Sequence, residues 1–416
     1  MKTKIQKALT SRGAISIYSS VFSILIGLVF GYLLLLIVNP ERSAYGIQQV
    51  LLTGVLSPEK FAKVLYQAAP LIFTGLSVAF AFKTGLFNIG ATGQYTIGAF
   101  LAIYTGAVLK MPWWAALLAA MLGGALWGFF PGICKALFNV NEVITSIMFN
   151  WIGLFFANLL MANIPQILAN YYGASNGDRT ANLEAANPSA MIPKLGLDEL
   201  FNSSYMNISI MIAITVAAII FIILNRTTFG YELKACGFNR NASIYAGINA
   251  KRNIVLSMVI SGSLAGIGGG IYYLSGTAQY TIVKSLLPMG FNGIPAALLA
   301  VSHPLGVIFS ALFISYIQVG GEAMQPEYAK EVIDIIISVI IYLSAFSLIL
   351  QGVIRRLLKR RDEKAAAAAA AAVTDPVVEE VVRDPVADNI SADSIASDAP
   401  SADALQIGNT EEVTKP

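Results

Sequence analysis

Gly85-Leu86-Phe87-Asn88-Ile89-Gly90-Ala91-Thr92-Gly93-Gln94 is a polar, glycine-rich decapeptide set between two apolar segments, each long enough to cross a bilayer. Polar backbone at membrane depth is tolerated only where neighbouring protein or a water-filled cavity satisfies its N–H and C=O groups. Such a stretch therefore points toward a solute pathway. The competing reading is a short cytoplasmic turn beginning at Lys83. The surrounding chain of 416 residues is 56% hydrophobic and only 12% charged, with a mean hydropathy of +0.67. A soluble core of this size needs far more surface charge, so the composition is that of a polytopic membrane protein.

Counting about 20 apolar residues per crossing gives ten segments: Tyr18 to Val38, Ala62 to Phe82, Ile89 to Leu109, Trp113 to Ala136, Val143 to Asn163, Tyr205 to Leu224, Ile254 to Leu274, Met289 to Val301, Leu305 to Gly321 and Val332 to Leu350. The eighth is too short to span as an ordinary helix. Lys and Arg collect in cytoplasmic loops. Lys2, Lys4, Lys7 and Arg12 precede the first segment, and Arg355, Arg356, Lys359, Arg360 and Arg361 follow the last, so both termini are expected inside. The same topology puts Lys83, Lys135, Arg226, Lys234, Arg240, Lys251 and Arg252 inside, with Lys110 and Lys284 as single exceptions.

Residues 1–17 thus read as a basic cytoplasmic N-terminus and 18–354 as the transmembrane domain. The first apolar run exceeds a secretory core and is followed by Asn39-Pro40-Glu41-Arg42 instead of a cleavage site, which predicts a retained helix. Residues 164–204 form a long external loop with turn formers at Asn187-Pro188 and Ile192-Pro193, which either covers the outer mouth of a pathway or is a tolerated insertion. Residues 355–416 read as a basic stop and then a disordered tail: a polyalanine run from Ala365 to Ala372, followed by ten acidic residues against Arg383 and Lys415. The remaining basicity belongs to loops beside anionic lipid and gives no reason to invoke nucleic acid.

Cys134 and Cys236 lie too far apart in sequence for a CxxC metal site and both fall on the cytoplasmic side, which disfavours a disulfide. The single histidine, His303, precedes Pro304 and reads as a turn residue, not a metal ligand. No GxxxxGK[ST] loop is present, so ATP hydrolysis by that route is excluded and no cofactor or catalytic residue is expected. Ionisable residues deep in spans mark proton or sodium coupling. Glu142 and Asp334 come nearest to that position, although a carboxylate at a helix N-terminus is also what the helix dipole favours.

Two constellations carry function. Phe87-Asn88-Ile89-Gly90-Ala91 recurs in altered form as Phe291-Asn292-Gly293-Ile294-Pro295-Ala296, 204 positions later, each copy opening a small-residue-rich segment. Interrupted segments at corresponding positions in two halves point to a central solute site. The second is the cytoplasmic loop 226–252, where Gly237 is expected to end one short helix in a left-handed conformation and Asn239 to cap the next. Two short helices across the inner surface give a partner something firm to push on. The plainer alternative is a basic loop at the lipid surface.

GLFNIGATGQ, GYELKACGFNRNASIYAGIN followed by SGSLAGIGGG, and MGFNGIPAALLAVSHPLG resemble the permease subunits of ABC importers in the ribose, branched-chain amino acid and nucleoside group, over roughly residues 60 to 350. The run from Asn141 to Met148, the external loop and the extra first span are most similar to nucleoside permeases that work with a lipid-anchored purine nucleoside-binding protein. The resemblance implies an all-α fold of about ten transmembrane helices in two pseudo-symmetric halves, with broken or re-entrant segments. It also implies a bacterial plasma-membrane location, a second and different permease subunit, and two cytoplasmic ATPases. Within this implied scheme Glu232, Lys234, Gly237, Asn239, Arg240, Asn241 and Gly247 belong to the coupling helices docked on the ATPase, while Phe87, Asn88, Thr92, Gln94, Phe291 and Asn292 lie along the solute path. The acidic tail departs from the family pattern.

Neutral nucleosides suit such a path, since amides pair with base edges and ribose hydroxyls while aromatic rings stack on bases, at about 1–3 kcal/mol per stack. Selectivity is expected mainly in the external binding protein. A simple-sugar permease is the nearest rival, followed by an ion-coupled secondary carrier and a membrane scaffold that transports nothing.

Overall fold

Polar caps set the limits of the apolar helices. Ser57 accepts the Lys60 N–H at 3.3 Å and Pro58 fills the first turn of the helix Pro58–Lys83; Asn141 accepts the Val143 N–H at 2.8 Å ahead of Glu142–Asn163. In this computed structural model the described residues are 12–175, 177–345, 352 and 356. They fall within one unit, Met1–Leu357; the second unit, Leu358–Pro416, with the polyalanine and acidic tail, lies outside them, as do most of the basic N-terminus and the end of the tenth expected segment.

The described residues build α1 (Arg12–Val38), α2 (Ser43–Leu56), α3 (Pro58–Lys83), α4 (Ala91–Ile103, continued by a π-turn at Tyr104–Val108), α5 (Trp113–Phe138), α6 (Glu142–Asn163), α7 (Ser209–Arg226), α8 (Thr228–Phe238), α9 (Arg240–Tyr245), α10 (Ala250–Tyr273), α11 (Pro288–Leu299), α12 (Pro304–Glu322) and α13 (Lys330–Ala345). Six of these, α3, α5, α6, α7, α10 and α12, are long and apolar enough to cross a membrane. The third and eighth expected segments are shorter helices, α4 and α11, and α1 begins at Arg12, inside the segment expected to precede the first span.

α3 is the axis of the bundle, unbroken in its burial from Ala68 to Ala81. It packs against α10, α11 and α12, while α10 also crosses α4 and α5. The α5–α10 crossing is made by glycines: a Cβ on Gly124 would strike the Gly262 carbonyl, and one on Gly128 the Met258 carbonyl. Without a hydrophobic force between helices in lipid, such close backbone approach supplies the packing energy. α5, α6 and α7 are mostly exposed along apolar faces, including Leu122, Phe155 and Ile222, as lipid-facing helices are.

α2 was not legible as an apolar segment. Its buried stripe is Ser43, Gly46, Val50, Thr53 and Gly54, small residues at helical spacing that hydropathy passes over. Gly46 packs on Leu35 and Gly54 on the Tyr316 ring.

The loop expected to be external is folded, not loose. Thr180 exchanges hydrogen bonds with Tyr280, the Thr180 N–H to the Tyr280 carbonyl at 2.9 Å and the Tyr280 N–H to Thr180 Oγ1 at 2.9 Å, and the Ile192 N–H reaches the Leu274 carbonyl at 2.9 Å. Lys110 is hydrogen-bonded locally, its Nζ donating to the Ala186 carbonyl at 2.8 Å and to the Tyr172 hydroxyl at 3.1 Å. Glu142 pairs with Lys135 at 2.9 Å, which accounts for both charges at that end. His303 caps α12, Nδ1 accepting the Gly306 N–H at 3.3 Å, and partial burial followed by the Lys83 ammonium holds its imidazole pKa below the usual value.

Candidate functional site

The decapeptide turns back into the bundle after α3. Gly85, at φ +73°, makes the reversal, and Asn88 then lies fully buried beside α3 and α10. Its Nδ2 donates to Ser261 Oγ at 2.6 Å, Gln94 Oε1 at 2.7 Å and Ser77 Oγ at 3.1 Å; Gln94 Nε2 returns a bond to Asn88 Oδ1 at 3.1 Å. The exposed backbone is satisfied by α6: Asn150 Oδ1 accepts the Gly93 N–H at 2.8 Å, and its Nδ2 donates to the Ile89 carbonyl at 3.0 Å. Asn150 was not singled out from sequence, although an isolated amide in an apolar span was the available signal. Asn150→Leu is expected to orphan both groups and lower stability by roughly 2–4 kcal/mol, read as a lower melting temperature in detergent; an unchanged melt would remove Asn150 from this role.

The two echoed segments meet in space. A Cβ on Gly290, in the first turn of α11, would strike Thr92 in the first turn of α4, and one on Gly293 would lie 2.7 Å from the Thr74 Cβ. Thr92 is fully buried, its hydroxyl without a hydrogen-bond partner. Phe87 is half-buried and stacks on Phe82 at 5.2 Å. Phe291 is half-buried one position before Asn292.

Of the six residues expected along the path, Asn292 alone lines the cavity of about 550 Å³ enclosed by α3, α4, α10, α11, α12 and α13. Tyr272 and Tyr273 from the end of α10, Tyr95 from α4, Gln67 from α3 and Gln318 and Glu322 from the end of α12 supply much of its lining. Tyr66 stacks on Tyr272 at 5.5 Å, and Tyr273 stands edge-on to Tyr272 at 5.1 Å. Lys63 holds Glu322 at 2.7 Å. Asp334, the other carboxylate noted from sequence, is also in the lining. An aromatic wall facing convergent amides and charges, with a volume inside the roughly 300–1,000 Å³ of small-molecule sites, is a place to hold a polar, flat solute.

Residues 61–345 match the family described as the branched-chain amino acid transport system / permease component. The chain belongs to this permease family. It is 36% identical over 348 residues to the guanosine ABC transporter permease protein NupP of Bacillus subtilis, covering 81% of this chain and 95% of that one. It is 34% identical to the nucleoside ABC transporter permease protein NupB of Lactococcus lactis, covering 79% and 91% of the two chains, and 27% identical to the glucose ABC transporter permease protein TsgB13 of Haloferax volcanii, covering 78% and 87%. No solved structure matches the chain. The permease is a multi-pass membrane protein.

At the opposite end of α3 and α10 from the cavity, the permease carries the two expected short helices, α8 and α9. Asn239 caps α9, accepting the Ala242 N–H at 3.0 Å. Gly237 does not take the left-handed conformation expected of it. It lies inside α8, and its missing side chain admits the α3 end instead: a Cβ there would sit 2.5 Å from the Lys83 carbonyl and 3.0 Å from the Gly85 N. The left-handed residue is Gly247, at φ +81°, after α9. Glu232 accepts from Asn253 Nδ2 at 3.1 Å, Lys234 Nζ donates to Asn225 at 3.4 Å, and Arg240 Nη1 reaches Asn139 at 3.5 Å, while Asn241 is exposed. Sequence reasoning passed over the aromatic side chains here: Phe238 is 90% and Tyr245 94% exposed.

Proposed function

We propose that this permease is one transmembrane half of an ABC importer that moves nucleosides into the cell. The observation that carries the reading is the tyrosine-walled, amide- and carboxylate-lined cavity, in a chain whose relatives over most of its length include guanosine and nucleoside permeases. In this proposal ten segments cross, α1, α4, α11 and α13 completing the six long spans, and both termini lie in the cytoplasm. The cavity then opens toward the outside and α8–α9 lie inside. A second, different permease, a solute-binding lipoprotein and two ATPases complete the machine. Phe238 and Tyr245, with Glu232, Lys234, Asn239, Arg240, Asn241 and Gly247 around them, are the proposed ATPase contact.

Asn292 is proposed to touch the solute. Phe87, Asn88, Thr92, Gln94 and Phe291 are proposed to shape the path at the joint between the two short helices, since Asn88 and Gln94 spend their donors on each other and on serines. Sparse intramembrane charge speaks against an ion-coupled carrier. The test is uptake of labelled guanosine, uridine and ribose into cells with and without the gene, repeated after ATP depletion with ion gradients maintained. Gene-dependent nucleoside uptake that vanishes with ATP is expected. Gene-dependent ribose uptake would transfer the reading to sugars, and uptake surviving ATP depletion would overturn the ABC mechanism.

A further inference from the structure

The polar groups of the cavity are unevenly spent. Glu322 closes α12 with Oε2 on Lys63 at 2.7 Å and Oε1 on Gln67 Nε2 at 3.0 Å. The carboxylate can only accept, so this bond fixes which end of the Gln67 amide faces it. The other end, Gln67 Oε1, is buried with no partner. Each carboxylate oxygen keeps a further lone pair. Nearby, Tyr95 is 1% exposed and its hydroxyl is also without a partner. Of the buried side-chain polar atoms without a partner among the described residues, Gln67 Oε1 and the Tyr95 hydroxyl are the two whose residues line the cavity, where a ligand can pair them. Gln67 Oε1 and the partly exposed Glu322 carboxylate both present acceptors to the cavity, which an occupant with adjacent donors matches.

We infer that this cavity reads the base, and that Glu322 and Gln67, with the Tyr95 hydroxyl, select the guanine edge. This rests on the nucleoside reading and deepens it. Guanine carries N1–H beside a 2-amino group, two neighbouring donors on one edge, which a carboxylate accepts together. Adenine and cytosine present an amino group beside an acceptor nitrogen, and uracil presents one N–H flanked by carbonyls. Each of these sets an acceptor against the acceptors of Gln67 and Glu322. Lys63 holds the carboxylate in place without itself lining the cavity. Tyr272 and Tyr273 offer the ring faces that hold the base. The permease thereby adds a second selection to whatever an external binding protein performs.

The test is the ratio of labelled guanosine to adenosine uptake in cells carrying the full-length permease or a variant, because a ratio cancels differences in folded amount. The unaltered permease is expected to favour guanosine. Glu322→Gln replaces one acceptor by a donor at the same shape and is expected to lower the ratio by about tenfold or more, the size of one lost charge-assisted hydrogen bond. Tyr95→Phe removes the orphaned hydroxyl; it is expected to raise the KM for guanosine while the melting temperature of the purified protein stays level or rises, whereas a structural hydroxyl would lower it. Guanosine and adenosine uptake falling together in Glu322→Gln, or an unchanged ratio, would overturn the inference and leave the nucleoside reading standing. Ribose uptake without nucleoside uptake by the unaltered permease would overturn both, before any variant is examined.

Discussion

Gly124→Val is expected to abolish the folded permease. On one side of Gly124 stand the Gly262 carbonyl and the Gly266 backbone, the Gly266 N lying 2.8 Å from where a Cβ would be. A backbone neighbour has no rotamer to move into. α10 cannot retreat either: on other faces a Cβ at Gly268 would meet the Pro70 carbonyl and Phe73 Cβ at 3.1 Å, and one at Gly269 would strike the Tyr95 carbonyl. Overpacking by a methylene in an ordinary core costs about 1–3 kcal/mol. An isopropyl group driven between two backbones costs more, against a total stability of roughly 5–15 kcal/mol for a typical domain. The measurement is the monodisperse fraction and melting temperature in detergent, with Leu122→Val as the control, since Leu122 lies on the same helix and is 63% exposed. Normal yield and melting of Gly124→Val would mean that the glycine crossing does not hold the bundle.

That crossing also shows where the sequence was legible. Ile254 to Leu274 was legible as an apolar segment, but not which helix would meet its glycines, because close approach is a property of pairs and one segment carries only one member. The expected segments for α3, α5, α6 and α12 end within four residues of the helices because hydropathy is local. α2 escaped because its buried face is built from Ser43, Gly46 and Thr53, which score as neutral. Gly237 was assigned a left-handed turn on the general habit of glycine, when its neighbour is a carbonyl more than 150 positions earlier in the chain.

The candidate site divides the same way. Asn88 and Gln94 were legible as unusual residues, yet their donors and acceptors close on each other, on Ser77 11 positions before Asn88, and on Ser261 173 positions after it. Gln67, Tyr95 and Glu322 each looked ordinary in its own segment. Only the fold brings them to one cavity, where Gln67 Oε1 and the Tyr95 hydroxyl are buried without partners.

Gly237→Val is expected to separate ATP hydrolysis from uptake. The glycine sits where α8 touches the end of α3, against Lys83, Thr84 and Gly85. From there the chain runs directly into the buried network, Thr84 Oγ1 donating to Ser257 Oγ at 2.8 Å and Asn88 following four residues later. A push on α8 therefore has a short, backbone-to-backbone route into the joint of α3, α4 and α10. A valine Cβ at 2.5 Å from the Lys83 carbonyl is expected to force α8 away and break that contact. In vesicles containing the assembled importer, nucleoside uptake per ATP hydrolysed should fall at least about tenfold, as it does when a coupling free energy of about 1.4 kcal/mol is lost. Arg240→Glu, which removes a contact to Asn139 and reverses a surface charge, should weaken the same ratio. Gly247→Ala is the contrast: the residue is at φ +81° with open space around it, so an alanine strains the turn by about 1 kcal/mol and meets nothing. If Gly247→Ala uncouples as fully as Gly237→Val, the loop's own conformation carries the signal and the Gly237–Lys83 contact does not.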